Sequence, residues 1–478
     1  MPKRTRINAK IIVAFQNGEH RILEDGCIVI EGNEIIHTGK TFEGHTDTTI
    51  DASNRVVTPG FINCHTHLSE SPLDKSLVED RGKKHFYCSD LPDMLPARSQ
   101  AMSREARQAC VDYSMAELIR TGTTTVMEIG PIGDYVAQAA DKAGIRAYIA
   151  DDYRSGRWVT PDGRWISYEW DEPAGIAGLR HALELIERIE KQGNERIKGF
   201  LSPGQVDTCT AELLRLSRQA SDELGIPLAL HTSQSVFEFQ EMVHRHTQTP
   251  IEWLESIGFL SEWCILGHAL FVAGNSWVQY PGDDLSILAA HGASIAHAPW
   301  VFSRRGAIME SFPDYLDAGV NVCLATDTSP QSMIESLRLA AMIGKIASRE
   351  AERATAADVF NAATLNGAKM LHRDDLGRIA KGAKADLLFW NTRSMFMVPL
   401  RDPIKNIVYN ATPEDLPDVM IDGAWVMRNG TVLNVDEETV CRNLQTAGER
   451  MWEVLPEGDW AGRSTDELSP PTYKPYTT

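Results

Sequence analysis

Thr58-Pro59-Gly60-Phe61-Ile62-Asn63-Cys64-His65-Thr66-His67-Leu68 is an apolar run opened by Pro-Gly and closed by two histidines two residues apart. On a strand, residues two apart point to the same side, so His65 and His67 present two imidazole nitrogens to one point. Imidazole is the commonest protein metal ligand, and histidine-rich sets suit Zn, Fe, Co or Ni. A lone His-x-His is a weak signal, because a single strand-end histidine is more often a hydrogen-bonded rim residue. The reading depends on what the rest of the chain sets beside this strand.

From residue 56 onward, short apolar β-branched runs alternate with longer amphipathic stretches. The runs fall at 56–64, 123–128, 145–150, 197–202, 227–231, 264–268, 294–297 and 320–326, with helical spacing between most of them, as at 104–120 and 174–191. Eight strands alternating with helices predict an α/β fold, a parallel (β/α)8 TIM barrel rather than an open doubly wound sheet. No glycine-rich nucleotide fingerprint follows any of them. Strand texture also marks both ends of the chain, at 9–15, 27–31 and 34–38 and again at 386–390, 404–409, 418–421 and 424–427. Gly32-Asn33, Asp422-Gly423 and Asn429-Gly430 supply turns. The expected organisation is residues 1–57 as the first part of a small β-sandwich, 58–379 as the barrel, 380–440 as the second sandwich part and 441–478 as a C-terminal extension. The last ~20 residues, rich in Pro, Gly, Ser and Thr, are expected to pack loosely.

The 478 residues are 43% hydrophobic and 24% charged, enough for a sizeable core. A net charge of −19 argues against nucleic acid or an anionic membrane surface as partner. No apolar run approaches the roughly 18 residues a membrane span needs. The eight cysteines are scattered without a Cys-x-x-Cys pair, as expected of reduced thiols in a cytoplasmic protein. A small-molecule substrate and a homo-oligomer are the expected partners.

Barrel enzymes build their sites at the C-terminal ends of the strands. Those ends carry His65 and His67 on the first strand, His231 on the fifth, His268 on the sixth, His297 on the seventh and Asp327 on the eighth. Only 14 of the residues are histidine, so five at strand ends is an ordered set rather than a scatter. The pattern resembles the amidohydrolase superfamily, in the branch with cytosine and guanine deaminases and the triazine and phenylurea hydrolases. The resemblance runs from Asp51-Ala52-Ser53 through His65-Thr66-His67-Leu68, Gly122-Thr123-Thr124-Thr125 and Leu324-Ala325-Thr326-Asp327. It continues through Ala363-Thr364-Leu365-Asn366-Gly367-Ala368, Leu376-Gly377-Arg378-Ile379 and Gly382-Ala383-Lys384-Ala385-Asp386-Leu387. It implies one divalent metal ion per subunit, zinc before iron or cobalt, held by His65, His67, His231 and Asp327. His268 would polarise the bound water or the substrate oxygen, and Asp327 would take and return a proton as general base then acid. The fourth strand ends Gly199-Phe200-Leu201-Ser202-Pro203 without a lysine, which speaks against a carbamylated bridge between two metals.

Three positions depart from the deaminase pattern. Gln234 stands where those deaminases carry Glu, Gly204-Gln205 where they carry a substrate-contacting His, and His297-Ala298-Pro299-Trp300-Val301-Phe302 where they carry His-x-Pro-x-Ser-Asn. A Gln amide cannot deliver the proton that a heterocycle needs before its amino or chloro group is displaced. The first expectation is therefore hydrolysis of an amide, urea or carbamate of a small, partly apolar molecule. The alternative is an aminohydrolase or chlorohydrolase acting on a pyrimidine, purine or triazine, with Glu238 or Glu241 replacing the missing acid. Both glutamates are expected on a solvated face. A non-enzymatic, dihydropyrimidinase-like protein is disfavoured by the intact ligand set. Gln205, Gln234 and His297 are the expected substrate contacts, with His85 and Trp277 from two candidate covers at 68–103 and 271–284.

Overall fold

A computed structural model describes residues 2–77, 89 and 91–476. Four strands open the chain: β1 (Arg4–Gln16), β2 (Glu19–Glu31), β3 (Glu34–Gly39) and β4 (Thr48–Pro59). β1 and β2 form an antiparallel hairpin, and β4 lies parallel to β1. The chain then enters the parallel layer through β5 (Phe61–Thr66). The Pro-Gly at this junction has a steric reason: a Cβ on Gly60 would sit 2.0 Å from Thr124 Oγ1, so only glycine lets the backbone pass.

β5 pairs with β6 (Thr123–Gly130), which pairs with β7 (Arg146–Tyr153). A short antiparallel hairpin follows, β8 (Gly156–Val159) and β9 (Ser167–Trp170), which carries no clear signal in the sequence. β10 (Ile197–Gly199) and β11 (Ser202–Pro203) both lie parallel to β7. A second parallel sheet comprises β12 (Leu228–Thr232), β13 (Cys264–His268), β14 (Ser294–His297) and β15 (Asn321–Leu324). Isolated parallel bridges join the two sheets at Leu201–Leu228 on one side and Thr66–Asp327 on the other. The parallel strands are buried along nearly their whole length, as expected where both faces of a sheet are covered.

The remaining strands, β16 (Leu387–Asn391), β17 (Asp418–Ile421), β18 (Ala424–Arg428) and β19 (Thr431–Val432), join the first four. The expected β-sandwich takes the form of one continuous hydrogen-bonded sheet, ordered β19-β18-β17-β16-β4-β1-β2-β3. The reason is β4, whose residues 55–59 pair antiparallel with β16 while 48–57 pair with β1, so both chain ends share one ladder. Its apolar side forms its own core of Ile7, Ile12, Ile28, Ile35, Val57, Leu387 and Phe389. The run at 404–409, expected as strand, is instead the helix Pro403–Tyr409. Asp402 caps it by accepting from Ile404 N and Lys405 N, and Pro403 takes the first position, which needs no N–H donor. The C-terminal extension is mostly the helix Glu437–Gly458, packed on helices Leu91–Ala101 and Arg104–Arg120 through Ala447, Met451 and Leu455. The final residues are less loose than expected: Thr465–Leu468 is helical and Leu468 is buried, whereas Tyr473 and Tyr476 are exposed.

Candidate metal centre and substrate cavity

The bridge between β5 and β15 makes the centre. His67 N donates to Asp327 O (2.8 Å) and Asp327 N to His65 O (3.0 Å), so the first and eighth strands arrive together. Asp327 takes φ +61°, which costs strain for a non-glycine residue and aims its carboxylate inward. His67 Nε2 lies 3.3 Å from His65 Nε2 and 3.2 Å from His231 Nε2. Asp327 Oδ1 is 3.6 Å from His65 Nε2 and 3.4 Å from His67 Nε2, and its Oδ2 is 3.6 Å from His268 Nε2. The sequence placed all five residues at one point, and they converge there.

Three of these rings are held by backbone. Nδ1 of His67, His231 and His268 donates to the carbonyls of Ile129 (2.9 Å), Gly204 (2.6 Å) and Ala296 (2.9 Å). That fixes the tautomer and leaves Nε2 as a lone pair facing the centre. Burial pushes His65 well down and His231 down to about 3, helped by the neighbouring rings, and lowers His268, so these imidazoles are neutral. Burial opposes charge on Asp327, but His268, His67, His231 and Arg305 together hold its carboxyl below the usual range. Facing lone pairs at this spacing repel unless a cation lies between them, and His268 Nε2 is buried without a hydrogen-bond partner among the described residues. The donor set therefore fits a divalent metal, with nitrogen and oxygen ligands and room for water. Two ligand groupings satisfy the geometry, His65 with His67 and Asp327, and His65 with His231 and His268.

A cavity of about 750 Å³ opens over this centre. Gln205 and Gln234 line it, as expected. His297 does not: it is buried on β14, stacked on Phe312 with ring centroids 5.0 Å apart, and it faces a separate small pocket. Trp277 also stays outside, packed on Phe271 at 5.7 Å. His85, with Phe86 and Tyr87, lies outside the described residues. Walls that sequence reasoning missed come from distant segments. Trp158 on the β8–β9 hairpin, Arg154 and, from the C-terminal extension, Trp460 all line the cavity, beside Phe302 from the segment singled out after the seventh strand. Trp460 Nε1 donates to Asp93 at 2.6 Å. No spacing rule flags Trp158, Arg154 or Trp460, because each is a lone aromatic or basic side chain outside any long periodic segment.

Glu238 corrects the expectation of a solvated face. It is fully buried at the third position of the helix Val236–His246, where it accepts from Ser233 N (2.5 Å), Gln234 N (3.1 Å) and Gln205 Nε2 (2.9 Å). Gln234 Nε2 in turn donates to Gln205 Oε1. Burial and then the Asp207 carboxylate push the Glu238 carboxyl well above the usual range, against those three donors. Glu241 behaves as a surface residue, paired with Arg245 at 2.7 Å.

Residues 56–426 match the profile of the amidohydrolase family. The chain belongs to that family. As an amidohydrolase it is a hydrolase of carbon–nitrogen bonds other than peptide bonds. It is 31% identical to a 5-methylthioadenosine/S-adenosylhomocysteine deaminase of Thermococcus kodakarensis over 86% of this chain and 91% of that protein. It is 27% identical to a 5'-deoxyadenosine deaminase of Methanothermobacter thermautotrophicus over 89% of this chain and 95% of that one. Its fold is shared with an adenosine deaminase from Xanthomonas campestris solved with zinc (TM-score 0.81, 21% identity, 94% of this chain and 99% of that one). It is shared also with a zinc-bound atrazine chlorohydrolase from Arthrobacter aurescens TC1 (TM-score 0.79, 22% identity, 93% of this chain and 100% of that one). Among the described residues, no helix is long and apolar enough to cross a membrane.

Proposed function

We propose that this amidohydrolase is an aminohydrolase, releasing ammonia from an amino-substituted nitrogen heterocycle of the pyrimidine, purine or triazine class. The observation that carries the reading is the relationship to proteins named as deaminases over nearly the whole chain. This reverses the order of the two expectations drawn from the sequence. The buried Glu238 adds support, since a carboxyl is retained four residues from position 234 and accepts from Gln234 N. On this reading the eight parallel strands act as one closed ring, and one zinc ion per subunit sits on His65, His67, His231 and Asp327. When bound, such an ion acidifies water and polarises the group under attack.

The chain's own residues do the rest. Asp327, ionised and placed between His67 and His268, takes the proton of the attacking water and returns it to the leaving nitrogen. His268, held by the Ala296 carbonyl, keeps its Nε2 toward the reacting group. Trp158 and Phe302 supply apolar walls. A second reading, hydrolysis of a urea, amide or carbamate, is favoured by one observation: the group lining the cavity at position 234 is an amide, not an acid.

One screen separates the two. Zinc-loaded protein is offered aminopyrimidines, aminopurines, aminotriazines, aryl ureas, carbamates and amides, with ammonia and amine release both measured. Ammonia from a heterocycle is the expected result, and turnover confined to ureas, carbamates or amides overturns it. Asp327→Asn should lower turnover by ~10²–10⁴-fold. Elemental analysis should give one ion per chain, and two tightly bound ions would refute the mononuclear centre.

A further inference from the structure

Gln234, Gln205 and Glu238 form a chain of side chains leading from the cavity into the protein. Gln205 is almost fully buried, and its Nε2 donates to Glu238 Oε2. Its Oε1 therefore faces Gln234, whose Nε2 donates to it. The Gln234 carbonyl oxygen is left without a hydrogen bond among the described residues, on a side chain that lines the cavity. A side-chain amide has one donor end and one acceptor end, so in a series of amides fixing the first fixes the last. The fixed end is Glu238, whose two oxygens each accept a backbone N–H of the loop after β12, Oε1 from Ser233 and Oε2 from Gln234, so that Oε2 meets Gln205 as an acceptor. Ser233 reaches its share of that grip by adopting φ +52°.

We propose that Gln205 and Glu238 are positioning residues that hold the Gln234 amide with its carbonyl oxygen toward the substrate, so that the site selects a molecule offering an N–H beside the bond to be hydrolysed. The proposal rests on the hydrolase reading of this cavity and narrows its substrate class. A carbonyl oxygen accepts a hydrogen bond and has no proton to give. The nitrogen that meets it must arrive carrying its own hydrogen. An aminopyrimidinone with a ring N–H meets that demand, as does the N–H of a urea. A heterocycle presenting a bare ring nitrogen there would set two lone pairs against each other.

Neutron diffraction from deuterium-exchanged crystals of the zinc-loaded protein reads the amide directly. Deuterium on the Gln234 atom facing Gln205, with oxygen toward the cavity, is expected. Deuterium on the cavity side overturns the proposal, whatever the substrate proves to be. Kinetics gives a second reading on two matched pairs, isocytosine with its ring-N-methyl derivative and phenylurea with its N-methyl derivative. In the pair that turns over, methylation should lower kcat/KM by ~10–100-fold, the scale of leaving a buried acceptor unpaired. Equal values overturn the proposal. Glu238→Gln presents either amide end at the anchor, so it should shrink that discrimination several-fold while metal content stays at the native level. Discrimination unchanged in Glu238→Gln overturns the positioning role. If neither pair turns over, the functional reading is in question, and the neutron result still decides this one.

Discussion

At the scale of single residues, Glu128 is the least obvious part of the centre. It lies near the end of β6, beside β5, accepting from Leu68 N at 2.7 Å and Thr66 Oγ1 at 3.0 Å, and so pins the backbone on either side of His67. Burial pushes its carboxyl up from 4.5 to about 8, against those donors. The folded state thus keeps a proton that the unfolded chain releases, and stability is expected to fall as pH rises through that window. Glu128→Gln retains an acceptor and removes the titration. Denaturant unfolding between pH 5 and pH 8 should show a shallower loss in the variant, the difference reaching at most ~1.4 kcal/mol per pH unit. Identical slopes would show that Glu128 is ionised in the fold. The converging histidines and Asp327 were legible at this scale because each stands at or next to the end of a recognisable strand. Glu128 was not, since its significance comes from burial beside another strand.

At the scale of elements, the β8–β9 hairpin matters most for the cavity. Trp158 and Tyr168 stand opposite each other in its register, and both donate to Asp207 Oδ2, at 2.8 and 2.7 Å. Arg245 lies over the Tyr168 ring at 4.2 Å and donates to Asp207 O at 2.7 Å, so the hairpin is clamped to the loop after β11. Trp158→Phe keeps an aromatic wall and removes one strut. We expect KM to rise several-fold with kcat and metal content near native, measured on the substrate found by the screen; an unchanged KM would mean that the Tyr168 strut alone holds the wall. The sequence did not show this hairpin, because two four-residue strands lack the length to reveal alternation. It did show the helix Arg104–Arg120 to the residue from its spacing, and the structure adds Ser103 as the cap.

At the scale of the whole molecule, Arg146 ties the catalytic layer to the terminal sheet. It begins β7, its side chain is 1% exposed, and it pairs with Asp386 (3.2 Å) and Asp422 (3.1 Å) beside β16 and β17. Removing one member of such a buried set strands the opposite charges, so Arg146→Ala should cost about 3–5 kcal/mol in denaturant unfolding. A loss below about 1 kcal/mol would mean that water reaches the two aspartates. The alternation of strand and helix, the strand-end histidines and the family motifs are all local patterns, and these the sequence by itself determined: an α/β hydrolase with a histidine-rich metal centre. Contacts between segments far apart in the chain were decided only by the tertiary structure. The terminal strands read as two layers and pair as one sheet, because strand order is a matter of which edges meet. Glu238 read as a surface residue of an amphipathic helix, yet it lies inside, because the loop after β12 and Gln205 supply the three donors that make its burial tolerable. Periodicity says which face of a helix is apolar, whereas partners brought from elsewhere decide which polar group that face can hide.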